Sequence, residues 1–133
     1  MPYKPDGYTS VAPYLIVADA EALLAFAKAV FGSEPLFVHR TPAGTIGHAE
    51  FRIDDTVVMC GQAPDAPPAN VHVYLPDVDA AFARALDAGG TIVQDIAEKG
   101  DGDRRGGIAD PSGTTWWLST EITARSDTQA KNG

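Results

Sequence analysis

Apolar positions along this chain switch between two periods. "VAPYLIV" (Val11 to Val17) is β-branched and apolar, which predicts a strand. From Asp19 the spacing lengthens: Leu23, Phe26, Ala27 and Val30 recur at helical intervals in "AEALLAFAKAVFG". Asp19 is the expected N-cap of that helix and Gly32 its stop. Three more strands follow: "EPLFVHR", then "TIGHAEFRI" after the turn "TPAG", then "TVVMCG" after a turn at Asp54-Asp55. Residues 1–61 thus read as one βαβββ unit, and "QAPDAPPA" (residues 62–69) as a linker. The same order returns over residues 70–120. "NVHVYLP" reads as a strand, "DVDAAFARALDAGG" as a helix, "TIVQDI" as a strand, and "RGGIAD-PSG-TTWWLS" as a closing hairpin. Residues 121–133 read as a flexible tail.

The two halves share a register. Asp19 matches Asp77, Gly32 matches Gly90, and the Asp54-Asp55 turn matches Ser112-Gly113, each pair 58 positions apart (77 − 19). Three landmarks at one spacing predict a tandem duplication. The expected fold class is α+β, with two tandem βαβββ units whose curved mixed sheets enclose a cavity.

Each helix must cover one face of its sheet, so the apolar parity of a strand marks the covered side. Ala49, Phe51 and Ile53 take the core, which leaves His48, Glu50 and Arg52 opposite. Val71, Val73 and Leu75 do the same and leave Asn70, His72 and Tyr74. Ala12, Tyr14 and Ile16 join the uncovered face of the first unit. A two-residue turn at Asp54-Asp55 sets Glu50 across from Met59, and the 58-residue offset then sets Trp117 across from Ile108. Neighbours on a strand point to opposite sides, so Trp116 and Leu118 enter the core while Trp117 faces the cavity. Singly, each uncovered residue is also what filler between sheets looks like. Together they predict a concave pocket of mixed polarity, the kind that takes small molecules.

Bulk properties narrow the partners. The chain has 133 residues, 44% of them hydrophobic, and a formal charge of −8, which argues against nucleic acid or an anionic membrane as partner. No apolar run approaches membrane-spanning length. The one cysteine, Cys60, lies in an apolar run and reads as a buried thiol, which suits a cytoplasmic protein.

The motifs "VAPYLIV.DA", "F..AVFG", "GHAEFRI.D..VM", "DVDAAFARALDAGG" and "GDR.G.I.DPSG..WWL" together resemble the vicinal oxygen chelate superfamily, which includes glyoxalase I, bleomycin-resistance proteins, fosfomycin-resistance enzymes and extradiol dioxygenases. Over Gly7 to Thr120 they look most like its PhnB-like branch. The resemblance implies paired βαβββ units, a homodimer, and a cavity on the uncovered faces. It also implies metal ligands, in metal-dependent members, on the first and fourth strand of each unit. Those positions fall here on Ala12 and Met59, and on Asn70 (or His72) and Trp117. Alanine has no donor atom, the tryptophan N–H has no lone pair, and thioether sulfur is a soft ligand. No cofactor is therefore expected.

A displaced metal set remains: His48, Glu50 and His72 are two imidazoles and a carboxylate. Without metal, Glu50 is a hydrogen-bond acceptor or general base, and His48 its partner or an acid. The loop "EKGDGDRRGG" (Glu98 to Gly107) is expected to be mobile, with Arg105 reaching from the pocket rim toward an anionic ligand. Three functions follow. The first is a metal-free binder of a small organic ligand, with Tyr14, Met59, Asn70, His72, Ile108, Trp117 and Arg105 lining the site. The second is an isomerase, lyase or dioxygenase using Glu50 and His48 or the displaced triad. The third is a scaffold with a vestigial pocket.

Overall fold

The computed structural model describes residues 3–124. The first unit comprises β1 (Tyr14–Val17), α1 (Ala20–Phe31), β2 (Pro35–Arg40), β3 (Ile46–Ile53) and β4 (Thr56–Gln62). The second comprises β5 (Asn70–Tyr74), α2 (Val78–Asp87), β6 (Thr91–Glu98), β7 (Asp103–Ala109) and β8 (Thr115–Glu121). Each unit forms a four-stranded mixed sheet, in the orders β1-β4-β3-β2 and β5-β8-β7-β6. The pairs β1–β4 and β5–β8, at one edge of each sheet, are parallel and the others antiparallel. The fold is α+β, as the duplicated pattern predicts.

Both helices start as the sequence dictates. The Asp19 carboxylate accepts from the Ala22 N–H, and Asp77 does the same for Ala80. A second orphan N–H at each helix start is met from the last residues of the sheet. Gln62 Oε1 accepts from Ala20 N–H, and Thr120 Oγ1 from Val78 N–H. The apolar faces of both helices and both sheets merge into one core. Trp116 joins them: it is fully buried, stacked with Phe26 at 6.2 Å and tilted against Phe31 at 5.1 Å. Its indole N–H donates to buried Asp110 at 2.7 Å, so the polar edge of this ring is satisfied inside the protein.

The helices thus lie inside the shared core, and the uncovered sheet faces lie outside it. Tyr14, Ile16 and Tyr74 are about half exposed there. The two sheets do not close on each other within one chain, which corrects the expectation of an enclosed cavity.

The 58-residue offset is not uniform. Tyr14 pairs with Met59 and His72 with Trp117, so β1 and β4 keep it. Helix α2 is shorter than α1, and the glycine with positive φ after it is Gly89 (φ 95°), not Gly90. Gly90 is needed for close approach instead: a Cβ there would lie 2.4 Å from the Ile108 side chain. The second hairpin encloses one extra residue between Asp110 and Thr114 and restores the offset in β8. Between these two points β7 is displaced by one, so Trp117 pairs with Gly107 and Ile108 with Trp116.

Two other expectations change. Most of the Glu98 to Gly107 segment is strand, with only residues 99–102 left as a hairpin loop. Glu121 belongs to β8 rather than to a tail, and Ile122 and Thr123 donate backbone N–H groups to Gly102 O. Of the expected tail, residues 125–133 lie outside the described residues. Among the described residues, no helix is long and apolar enough to cross a membrane.

Candidate functional site

On the first uncovered face, strand alternation places Tyr14, His48, Glu50 and Met59 side by side. Glu50 pairs directly with Met59, as expected. A continuous hydrogen-bonded chain runs through them. His48 Nε2 lies 2.7 Å from Glu50 Oε2, and His48 Nδ1 lies 3.0 Å from the Tyr14 hydroxyl. Ionised Glu50 only accepts, so Nε2 carries the proton, and in the neutral ring Nδ1 accepts from Tyr14. The other carboxylate oxygen, Oε1, accepts from the Tyr8 hydroxyl. The His48 and Tyr8 hydrogen bonds, in that order, hold the Glu50 carboxyl below the usual carboxylate range. The same bond to Glu50 pushes the Tyr8 phenol up. His48 sits between the rings of Tyr14 and Phe37, at 5.5 and 6.0 Å. A cavity of about 370 Å³ opens over Glu50 and Met59, with residues 3–10 as its outer side.

The second face is built differently. Its β7 positions equivalent to His48 and Glu50 are Arg105 and Gly107, given the one-residue displacement. With no side chain at 107, the Trp117 ring takes the space a Cβ would need: a Cβ there would meet it at 2.7 Å. Trp117 Nε1 donates to Asn70 Oδ1 at 3.1 Å, which fixes the ring's orientation. Arg105 is held in place: it donates to Asp101 (2.9 Å), Asp103 (2.6 Å) and Ser119 Oγ (2.8 Å). Ser119 Oγ lies 3.0 Å from His72 Nε2, and Tyr74 donates to Asp103 at 2.8 Å. The expected mobile arginine at a pocket rim is thus a strand residue braced by two aspartates.

Of the candidate residues, Tyr14, His48, Glu50 and Met59 come together on one face, and Asn70, His72, Arg105 and Trp117 on the other. Ile108 is a correction. It is fully buried in the core, because the displaced register turns it toward the helix side. The displaced metal triad is also not assembled in the chain, since His48 and Glu50 lie on one sheet and His72 on the other. Among the described residues, no three His, Cys, Asp or Glu side chains converge as a metal cluster. Sequence reasoning missed Tyr8, Phe37, Asp103 and Ser119. Arg52 was the available signal for the first of these: a cation on the uncovered face needs an acceptor, and it finds Gly7 O at 2.7 Å.

The Glyoxalase/Bleomycin resistance protein/Dioxygenase superfamily matches residues 7–118. The chain belongs to that superfamily. An uncharacterized protein of Mycobacterium bovis is 35% identical, covering 85% of this chain and 84% of the relative. Among solved structures, TioX from Micromonospora sp. ML1 is 26% identical with a TM-score of 0.73, covering 86% of this chain and 99% of that one. Fosfomycin resistance protein FosX from Mesorhizobium loti shares the fold, at 18% identity and a TM-score of 0.65, covering 84% of this chain and 91% of that one.

The superfamily resemblance implies a divalent metal in some members, and the residues here do not fit one. The Trp117 nitrogen is a donor already engaged with Asn70, Ala12 brings no ligand atom, and Met59 brings only a thioether. Beside them Tyr14 bonds His48, and His72 bonds Ser119.

Proposed function

We propose that this superfamily member binds a small organic ligand without a metal, in a pocket completed by a second copy of the chain. The observation that carries the reading is Glu50, an ionised acceptor flanked by His48 and Tyr8 at the floor of a cavity with aromatic neighbours. Large side chains exposed on the uncovered faces support the second copy: Phe37 is 52% exposed and Tyr74 47%. In such a homodimer the Glu50 face of one copy meets the Trp117 face of its partner. A carboxylate opposite an indole suits a flat or cationic ligand. The motif pattern favours the PhnB-like branch, and the buried free thiol of Cys60 a cytoplasmic setting.

The test is a panel of organic ligands screened by thermal shift and Trp117 fluorescence, with and without chelator. Saturable binding that survives the chelator and leaves the ligand unaltered is the expected result. A metal-dependent response, or no binding to any member of the panel, overturns it.

One observation favours a second reading. Tyr14, His48, Glu50 and Tyr8 form an unbroken donor–acceptor chain, which is a path for proton transfer in an isomerase or lyase. Ligand turnover that is lost in Glu50→Gln would select it over the binder.

A further inference from the structure

Residues 3–10 form a strap over the first uncovered face, and two side-chain bonds tie it to the sheet. Tyr8 donates to Glu50 Oε1, and Arg52 Nη1 donates to Gly7 O. The strap also bonds to itself: Lys4 Nζ donates to Ser10 Oγ at 3.1 Å, and Tyr8 N–H to Pro5 O at 3.3 Å. Gly7 takes φ 81°, a left-handed conformation that glycine adopts at little cost, and this bends the chain back toward Glu50. The cavity of about 370 Å³ lies beneath, with Glu50 and Met59 as floor and Tyr8, Thr9 and Ser10 as wall.

One oxygen of the floor carboxylate is therefore occupied from within the chain. A ligand that donates to Glu50 Oε1 must take the place of the Tyr8 hydroxyl. A neutral phenol is a weaker partner for a carboxylate than a charged nitrogen donor. Lys4 also lines the cavity, and its charge disfavours a cation while the strap is closed. Lifting the strap removes Lys4 together with Tyr8, so both obstacles to a cation leave in one movement.

We propose that the Tyr8 hydroxyl is a placeholder on Glu50, and that an organic cation with a flat apolar body displaces it and opens the strap. The proposal rests on the ligand-binding reading above and adds to it a ligand class and a moving part.

The experiment titrates the full chain with 9-aminoacridine, a flat monocation with N–H donors, and with an anionic naphthalene sulfonate dye as control. Backbone NMR order parameters over residues 6–10 are followed in parallel. Tyr8→Phe removes the competing donor and keeps the ring, so it is expected to bind 9-aminoacridine about tenfold more tightly. Arg52→Gln releases the other tie, leaves Glu50 intact, and is expected to give a smaller gain. Glu50→Gln is expected to weaken binding and to cancel the effect of Tyr8→Phe in the double variant. Bound 9-aminoacridine is expected to lower the order parameters of residues 6–10 in the wild type. Equal affinity in wild type and Tyr8→Phe, or unchanged order parameters on saturation, overturns the strap while the ligand-binding reading stands. Preference for the anionic dye, or no 9-aminoacridine binding to either protein, overturns the ligand class. Failure of both dyes and of the wider panel removes the ligand-binding reading itself.

Discussion

His48 Nε2 sits 2.7 Å from Glu50 Oε2, two residues along the same strand and on the same face of the sheet. Alternation alone brings them together, and the remaining bonds of the pair come from distant parts of the chain: Tyr14 on the imidazole, Tyr8 on the carboxylate. Glu50→Gln keeps the shape and removes the charge. We expect it to cost about 1 kcal/mol, since charge-assisted bonds become neutral ones at a half-buried site. Paired thermal melts of wild type and variant at pH 7 measure this, and equal midpoints would sink it.

The same pair predicts how that difference responds to acid. The folded Glu50 carboxyl ionises below its usual range, so its contribution is fully present above the unfolded-state pKa. It is lost as pH falls through the folded-state value. The gap between wild type and Glu50→Gln should therefore hold from pH 7 to about pH 5 and shrink below about pH 4. Asp79 and Asp101 are also held low by Arg104 and Arg105, but they are common to both proteins and cancel in the comparison. A gap that widens in acid would contradict the assignment.

On the second face the informative position is Gly107. A methyl there would meet the Trp117 ring at 2.7 Å, and that ring is partly exposed, so it tilts away rather than being crushed. Gly107→Ala should shift Trp117 emission and weaken its bond to Asn70, at about 1 kcal/mol in stability. Gly90→Ala is the contrast: its methyl would meet core Ile108 at 2.4 Å and Ala85 O at 2.8 Å, where nothing can move aside. That substitution should cost about 3 kcal/mol. Denaturant unfolding with tryptophan emission reads both, and an equal cost at the two positions would refute the contrast.

What the sequence disclosed follows from the reach of each signal. Capping aspartates, the αL glycine after α1 and the Asp54-Asp55 turn are local devices, and they located both helices and the first hairpin. The parity of β3 and β5 then identified the uncovered faces, because a period of two survives without knowledge of the partner strand. Register in β7 was not legible. It depends on a one-residue difference after α2 that is undone in the Asp110–Thr114 turn, and the landmarks on either side do not reveal it. The cost was one side chain on the wrong face, Ile108. Tyr8 was out of reach for another reason: it meets Glu50 across 42 positions from a segment with no periodicity.

Cys60 offers a check on the core that is independent of any ligand. The thiol is fully buried between Leu15 and Ala49 in register, and burial pushes its pKa up to about 11. Only the thiolate reacts readily, so native protein at pH 8 should resist a disulfide-exchange reagent for hours. Denaturant should expose the thiol in step with the loss of Trp116 burial. Rapid reaction of the native chain would contradict the packing of β4.

The final prediction concerns the second copy. Phe37 on edge strand β2 and Tyr74 on edge strand β5 are about half exposed on the uncovered faces, large ring surfaces of the kind that mark a contact. If copies pair so that the Glu50 face meets the Trp117 face, both edges approach a partner and both side chains become covered. Phe37→Lys places a charge at that contact without touching the shared core, since Phe37 packs only against the His48 ring among the described aromatic contacts. Under this pairing the wild type is expected to sediment as a dimer and the variant, at the same concentration, as a monomer, with melting temperatures within about 3 °C when both are measured dilute. It should also lose ligand affinity together with dimerisation, because the proposed dimer takes its Trp117 wall from the partner. A variant that stays dimeric, or a monomer that binds as well as the wild type, would place the whole pocket within one chain.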